Sequence, residues 1–120
     1  MSIEKKDLKE RTKKFALKVI KVVEMLPQGR TADIIGRQLI KAGTSVGANY
    51  RAACRAKSTA DFISKMGIVE EETDESIYWM ELLIETSLVH KDDLNLLLDE
   101  ANQILAITIS SIKTARKGKK

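Results

Sequence analysis

Gly36-Arg-Gln-Leu-Ile-Lys-Ala-Gly43-Thr-Ser-Val-Gly47-Ala-Asn-Tyr-Arg51-Ala-Ala-Cys-Arg55 reads as one continuous helix that admits three glycines. Gly36, Gly43 and Gly47 recur at intervals of seven and four, which puts them on one side of the helix. Each interior glycine costs roughly 0.5–1 kcal/mol relative to alanine. A stretch that accepts three of them, without proline, implies close approach of another backbone on that side. A second subunit and a neighbouring helix of the same chain both satisfy that requirement. On the other flank, Arg37, Lys41, Arg51 and Arg55 fall within roughly 80° of one another at about 100° per residue. One helix thus carries a close-packing seam and a basic stripe. The combination points to a scaffold with a polyanion surface and away from a conventional active site.

Outward from this helix, the chain parses into four helical stretches without a linker or low-complexity tract. The first is expected over about Lys6–Met25, with the stripe Leu8, Thr12, Phe15, Val19, Val22, Val23 and Leu26, and Pro27 with Gly29 ends it. The second, about Ala32–Ala56, takes Thr31 as its N-cap and buries Ile35, Leu39, Ala42, Val46, Tyr50 and Ala53. The third follows Ser58, whose spacing to Asp61 resembles a capping box, and runs along Phe62, Met66, Val69, Thr73, Ile77, Met80 and Ile84. The fourth begins near Asp92 or Asp93 and uses Leu94, Leu97, Leu98, Ala101, Ile104, Leu105 and Ile112. Short connections between long helices make sequential neighbours antiparallel, so the expected fold is an all-α, up-down-up-down four-helix bundle. Residues 1–120 form one domain, with a basic C-terminal tail over about 114–120.

Some stripes are too wide for a solitary bundle. Ile68, Trp79 and Leu82 lie off the main line of the third helix, among Asp61, Glu72 and Glu75, and Ile107 and Ile109 lie off that of the fourth. Apolar residues on a second face point to a subunit interface, although Trp79 capping the core is the alternative.

The composition of 43% hydrophobic and 32% charged residues fits a soluble helical domain. No apolar run reaches the roughly 18–20 residues a membrane span needs, and the N-terminus has no apolar signal core. With a single cysteine, Cys54, the expected setting is the cytoplasm. The net charge of +4 conceals segregation. Residues 1–60 carry 14 Lys or Arg against 5 Asp or Glu, residues 61–100 carry 2 against 12, and residues 101–120 carry 5 and no acid. Acidic and basic helices pairing side by side account for part of this pattern; an unneutralised basic surface for nucleic acid would add to it.

The catalytic inventory is thin. His90, the one histidine, falls in the expected turn before the fourth helix, and Cys54 reads as a small packing residue. Glu71-Glu72-x-x-Glu75 matches half of the magnesium-binding pattern of all-α nucleotide pyrophosphatases, but the Glu-x-x-Asp expected on the next helix is missing. Salt bridges to neighbouring helices are the preferred reading of that cluster. No cofactor and no metal site is expected. The basic positions are more informative: Arg11, Lys14, Lys18 and Lys21 recur at three, four and three, forming a second basic ridge. With the second helix and with Lys113, Arg116, Lys117, Lys119 and Lys120, they would neutralise several phosphates in a salt-sensitive, sequence-independent way.

Three blocks in order carry a family resemblance over almost the whole chain. They are Arg37-Gln-Leu39 with Gly43-Thr-Ser-Val-Gly-Ala-Asn-Tyr-Arg51-Ala-Ala, then Ala56-x-Ser58-x-x-Asp61-Phe62-x-x-Lys65, then Glu72-Thr-Asp-Glu-Ser-Ile-Tyr78-Trp79-x-Glu-Leu-Leu83. The sequence resembles the bacterial four-helix-bundle family encoded in intervening sequences of 23S ribosomal RNA genes, which includes accessory proteins of diversity-generating retroelements. Many relatives have Ile-Pro where Val46-Gly47 stands here. The resemblance implies a ring-shaped homopentamer and no established enzymatic activity. In the retroelement branch it implies nucleic-acid binding and a reverse transcriptase partner. The matching positions are Ser45, Asn49, Arg51, Asp61, Glu72, Glu75, Tyr78 and Trp79, whose residue types suit a buried or interfacial polar network.

The leading expectation is a non-enzymatic oligomeric scaffold that binds RNA or DNA through Arg11, Lys14, Lys18, Lys21, Arg37, Lys41, Arg51 and Arg55. The runner-up is a protein-interaction adaptor whose basic faces are neutralised by neighbouring helices or subunits. A magnesium-dependent nucleotide hydrolase is the third.

Overall fold

Apolar residues recurring every three and four positions fold the chain into α1 (Ser2–Glu24), α2 (Arg30–Cys54), α3 (Thr59–Glu85) and α4 (Lys91–Lys117). This computed structural model describes residues 2–118, with side chains from Asp7 onward, and contains no strand among them. Each helix packs on its sequential neighbour, α4 returns to touch α1 more sparsely, and the backbones of the diagonal pairs lie farther apart. The result is a four-helix bundle with extents of 51 × 22 × 19 Å.

The glycine side of α2 faces α1. A Cβ on Gly43 would stand 2.9 Å from both methyls of Val19, one on Gly36 3.1 Å from Leu26 Cδ1, and one on Gly47 3.3 Å from the Thr12 carbonyl oxygen. The order of these contacts runs oppositely along the two helices, which makes them antiparallel. The seam therefore serves an intra-chain crossing, and the missing Cβ atoms let α1 lie close enough to bury Val19 completely. Phe15, Leu39, Met66, Met80, Leu83, Leu94 and Ile104 fill the space between the four helices. Most residues of the expected stripes are in this core, but Val22, Val23, Leu26, Phe62, Ile84, Leu98 and Leu105 are only partly buried against it. Leu83, Ser76 and Thr108 are also buried, the last two polar. Their hydroxyls donate to the carbonyls of Glu72 (2.8 Å) and Ile104 (2.8 Å) one turn back, as Thr73 does to Val69 (2.7 Å), so burial leaves no orphaned hydroxyl.

The helix ends correct several expectations. Thr31 is not the N-cap of α2; it is exposed inside the first turn, and Gly29 caps the helix with φ 156° and ψ 159°, a backbone state that essentially only glycine adopts. No side chain caps the α2 N-terminus, because the residue at that position, Gly29, has none to offer. α2 also stops at Cys54 rather than Ala56, and α1 starts at Ser2 rather than Lys6. Ser58 does cap α3, accepting from the Asp61 N–H at 3.0 Å, while Asp61 reaches back to the Lys57 N–H at 3.2 Å. α4 starts at Lys91, one residue before Asp92, with His90 Nδ1 accepting from the Asp92 N–H at 3.2 Å. Between α3 and α4, Ser87 adopts φ 62°, and the N–H groups of Ser87 and Leu88 bond back to Ile84 and Leu83. This is the bonding of a Schellman turn, with serine in the usual glycine position. The expected tail is shorter than read, since residues 114–117 complete α4; Lys119 and Lys120 lie outside the described residues.

Candidate nucleic-acid interface

The basic ridge of α1 divides in two. Lys14, Lys18 and Lys21 are exposed on one flank of the helix, beside the buried Phe15 and Val19. Arg11, one turn earlier, is half-buried and turned onto α4. Its Nε and Nη2 donate to the two Glu100 carboxylate oxygens at 2.9 and 2.8 Å, and Nη2 also donates to Gln103 Oε1 at 2.8 Å. The hydrogen bond to Glu100 outweighs the cost of burial and raises the Arg11 guanidinium above its ordinary value. Arg11 thus fastens α1 to α4, and its charge is matched within the chain. Neither Glu100 nor Gln103 stood out in the sequence, because nothing local relates them to a residue some ninety positions away.

On α2, Arg37, Lys41 and Arg51 are exposed, as is Arg55 just past its end. Arg37 pairs with Asp33 one turn back at 3.1 Å, with both side chains open to solvent, an arrangement worth roughly 0.3–0.5 kcal/mol. Lys41 sits abreast of Glu72 on α3. Burial, and then the charge of Glu75, push the Glu72 carboxyl above its usual range against the attraction of Lys41. Arg51 and Arg55 have no carboxylate within ion-pair distance among the described residues.

The positions singled out as an interfacial network connect to one another within the chain only along their own helix, among the described residues. Ser45 donates to the Lys41 carbonyl (2.7 Å) and Asn49 to the Ser45 carbonyl (2.8 Å), both along α2. Asp61 takes a 2.6 Å ion pair from Lys65, which together with the Lys57 N–H holds its carboxyl below the usual range. Trp79 is half-buried against the core, with its Nε1 3.4 Å from a Glu75 oxygen, and it meets exposed Tyr78 edge to face at 5.1 Å. Gly36 and Gly43 are buried and Gly47 half-buried under α1.

Among the described residues no three of His, Cys, Asp and Glu gather as they would around a metal ion. Cys54 ends α2 and His90 precedes α4, at opposite ends of the bundle. No described helix is long and apolar enough to cross a membrane.

A crystal structure of a protein of unknown function from the S23 ribosomal protein family of Bacteroides thetaiotaomicron VPI-5482 is similar to this chain. It has 33% identity, a TM-score of 0.83, and coverage of 88% of this chain and 98% of that one. No curated protein matches the sequence. The family described as 23S rRNA-intervening sequence protein matches residues 4–110. With four helices in the expected order and this match over nearly the whole chain, the protein belongs to the 23S rRNA-intervening sequence protein family.

Proposed function

We propose that this protein is a non-enzymatic oligomeric scaffold that binds the nucleic-acid backbone through its basic helical faces. The observation that carries this reading is the exposure of Lys14, Lys18 and Lys21 on α1, of Arg51 on α2 and of Arg55 just past its end, none ion-paired among the described residues. Cations left unmatched and in water are available to phosphates, and such binding releases counterions. Self-assembly is supported by the outer face of α2 and α3. Ile34 is 55% exposed, Ile68 38% and Tyr78 53%, and residues equidistant from the 55–58 turn lie abreast, which brings Ile34 level with Trp79. These apolar side chains would be covered in the ring-shaped homopentamer that the sequence resemblance implies.

Light scattering coupled to size exclusion, with and without a structured RNA over a salt series, tests both parts. The expected result is a particle of several 13.4 kDa subunits that retains RNA at low salt and releases it steeply as salt rises. An oligomer that ignores RNA at 50 mM salt would instead favour the protein adaptor, for which the half-buried Trp79 beside exposed Tyr78 is the supporting observation.

A further inference from the structure

The antiparallel bundle redistributes charge in a way the linear sequence does not show. Along the chain, the first half is basic and the third quarter acidic. In the folded molecule, the C-terminal end of α2, the 55–58 turn and the last turn of α4 come together at one end. They share a cleft of about 430 Å³ lined by Cys54, Ala56, Lys57, Ser58, Phe62 and Ala115. Arg51, Arg55, Lys57, Lys113, Arg116 and Lys117 are all exposed around that end, and none makes an ion pair among the described residues. The acid in the first turn of α3, Asp61, is already held by Lys65 at 2.6 Å. Asp7 and Glu10 lie on the adjoining part of α1, where Lys9 and Lys13 offset them.

The opposite end reverses the sign. There Glu24 of α1, Asp33 of α2, Glu81 and Glu85 of α3 and Asp92 and Asp93 of α4 outnumber Lys21, Arg30 and Lys91. Helix dipoles do not alter this polarity. Each end of an up-down-up-down bundle holds two N-termini and two C-termini, whose partial charges offset one another. Side chains therefore set the field along the 51 Å axis.

We infer that the bundle meets nucleic acid with the end formed by the α2–α3 turn and the last turn of α4, while the acidic end is turned away. This inference rests on the nucleic-acid reading above and narrows it: it names the end, groups Arg51 and Arg55 with Lys57, Lys113, Arg116 and Lys117 as the contact surface, and leaves Lys18 and Lys21, toward the other end of α1, outside it. The 22 × 19 Å cross-section of the bundle spans about a dozen phosphate charges of a duplex lying across it. Six cations in that area match several phosphates at once. The sequence places two further lysines, Lys119 and Lys120, directly after Gly118.

Two matched double variants test the inference. Lys57→Gln with Arg116→Gln removes two charges from the basic end, and Arg30→Gln with Lys91→Gln removes two from the acidic end. All four side chains are exposed, so circular dichroism should match wild type for both proteins. Binding to a fluorescein-labelled 20-base-pair RNA duplex is measured by anisotropy from 50 to 300 mM salt. The basic-end pair should weaken binding about tenfold at a given salt and lower the slope of log affinity against log salt by about two, whereas the acidic-end pair stays within about twofold of wild type. Equal losses from the two pairs, or a larger loss from the Arg30 and Lys91 pair, would overturn the end-on assignment while leaving nucleic-acid binding intact. Absence of wild-type binding at 50 mM salt would overturn the proposed function, and the assignment with it.

Discussion

At the scale of single residues, two helical glycines of α2 and α3 make a clean contrast. Gly43 is buried against a β-branched side chain whose two methyls would both stand 2.9 Å from an added Cβ. Val19 has no freedom to retreat, because it is fully enclosed. Gly67 lies within α3 with nothing within 4 Å of the equivalent position. Gly43→Ala is expected to destabilise the fold by about 1–2 kcal/mol, overpacking outweighing the gain in helix propensity. Gly67→Ala should stabilise it by about 0.5–1 kcal/mol. Urea unfolding of both variants checks the pair, and a Gly43→Ala protein as stable as wild type would mean that α1 can slide off the seam. The glycine spacing was visible in the sequence as a demand for close approach. Which backbone approaches was not, since a neighbouring helix and a second subunit place the same requirement on α2.

At the scale of elements, helix centres were legible and helix ends less so. The centres are specified by a periodic signal repeated over many residues, and that redundancy tolerates a buried Thr or Ser in the stripe. An end rests on one or two residues with competing options. Thr31 and Ser58 are both hydroxyl residues ahead of an acid, yet only Ser58 adopts extended geometry and accepts from a first-turn N–H. Ahead of Thr31, Gly29 takes a backbone conformation that lets the helix begin two residues sooner. Ser58→Ala should therefore cost about 1 kcal/mol in thermal or chemical unfolding, whereas Thr31→Ala, at an exposed position inside α2, should fall within about 0.5 kcal/mol of wild type. Equal losses would show that Thr31 acts as a cap in solution. His90 illustrates the same point: a lone histidine carries no sequence signal for capping, and its role at α4 follows from the turn that Ser87 and Leu88 close before it.

At the scale of the whole molecule, α1 and α4 form the sparsest of the four helix contacts, and the fork of Arg11 on Glu100 and Gln103 spans it. The pair is partly shielded, with side-chain exposures of 23% and 26%. A double-mutant cycle with Arg11→Met and Glu100→Gln is expected to give a coupling of about 0.5–1 kcal/mol at low salt that shrinks toward 1 M salt. A coupling near zero would mean that apolar contacts alone hold α1 to α4. This fork also separates Arg11 from Lys14, Lys18 and Lys21, which share its sequence spacing and differ in what lies opposite them.

The sequence by itself determined the four helices, their antiparallel order, most of the core and the family, because periodicity, short connections and three ordered blocks are local properties that survive without coordinates. The tertiary structure alone decided that the glycine seam receives α1, that Arg11 is matched by Glu100, and that the two ends of the bundle differ in charge. Each of these depends on which residues distant in sequence become neighbours. Antiparallel packing makes those neighbours by folding the C-terminus of one helix beside the N-terminus of the next, a relation that spacing along one chain does not encode.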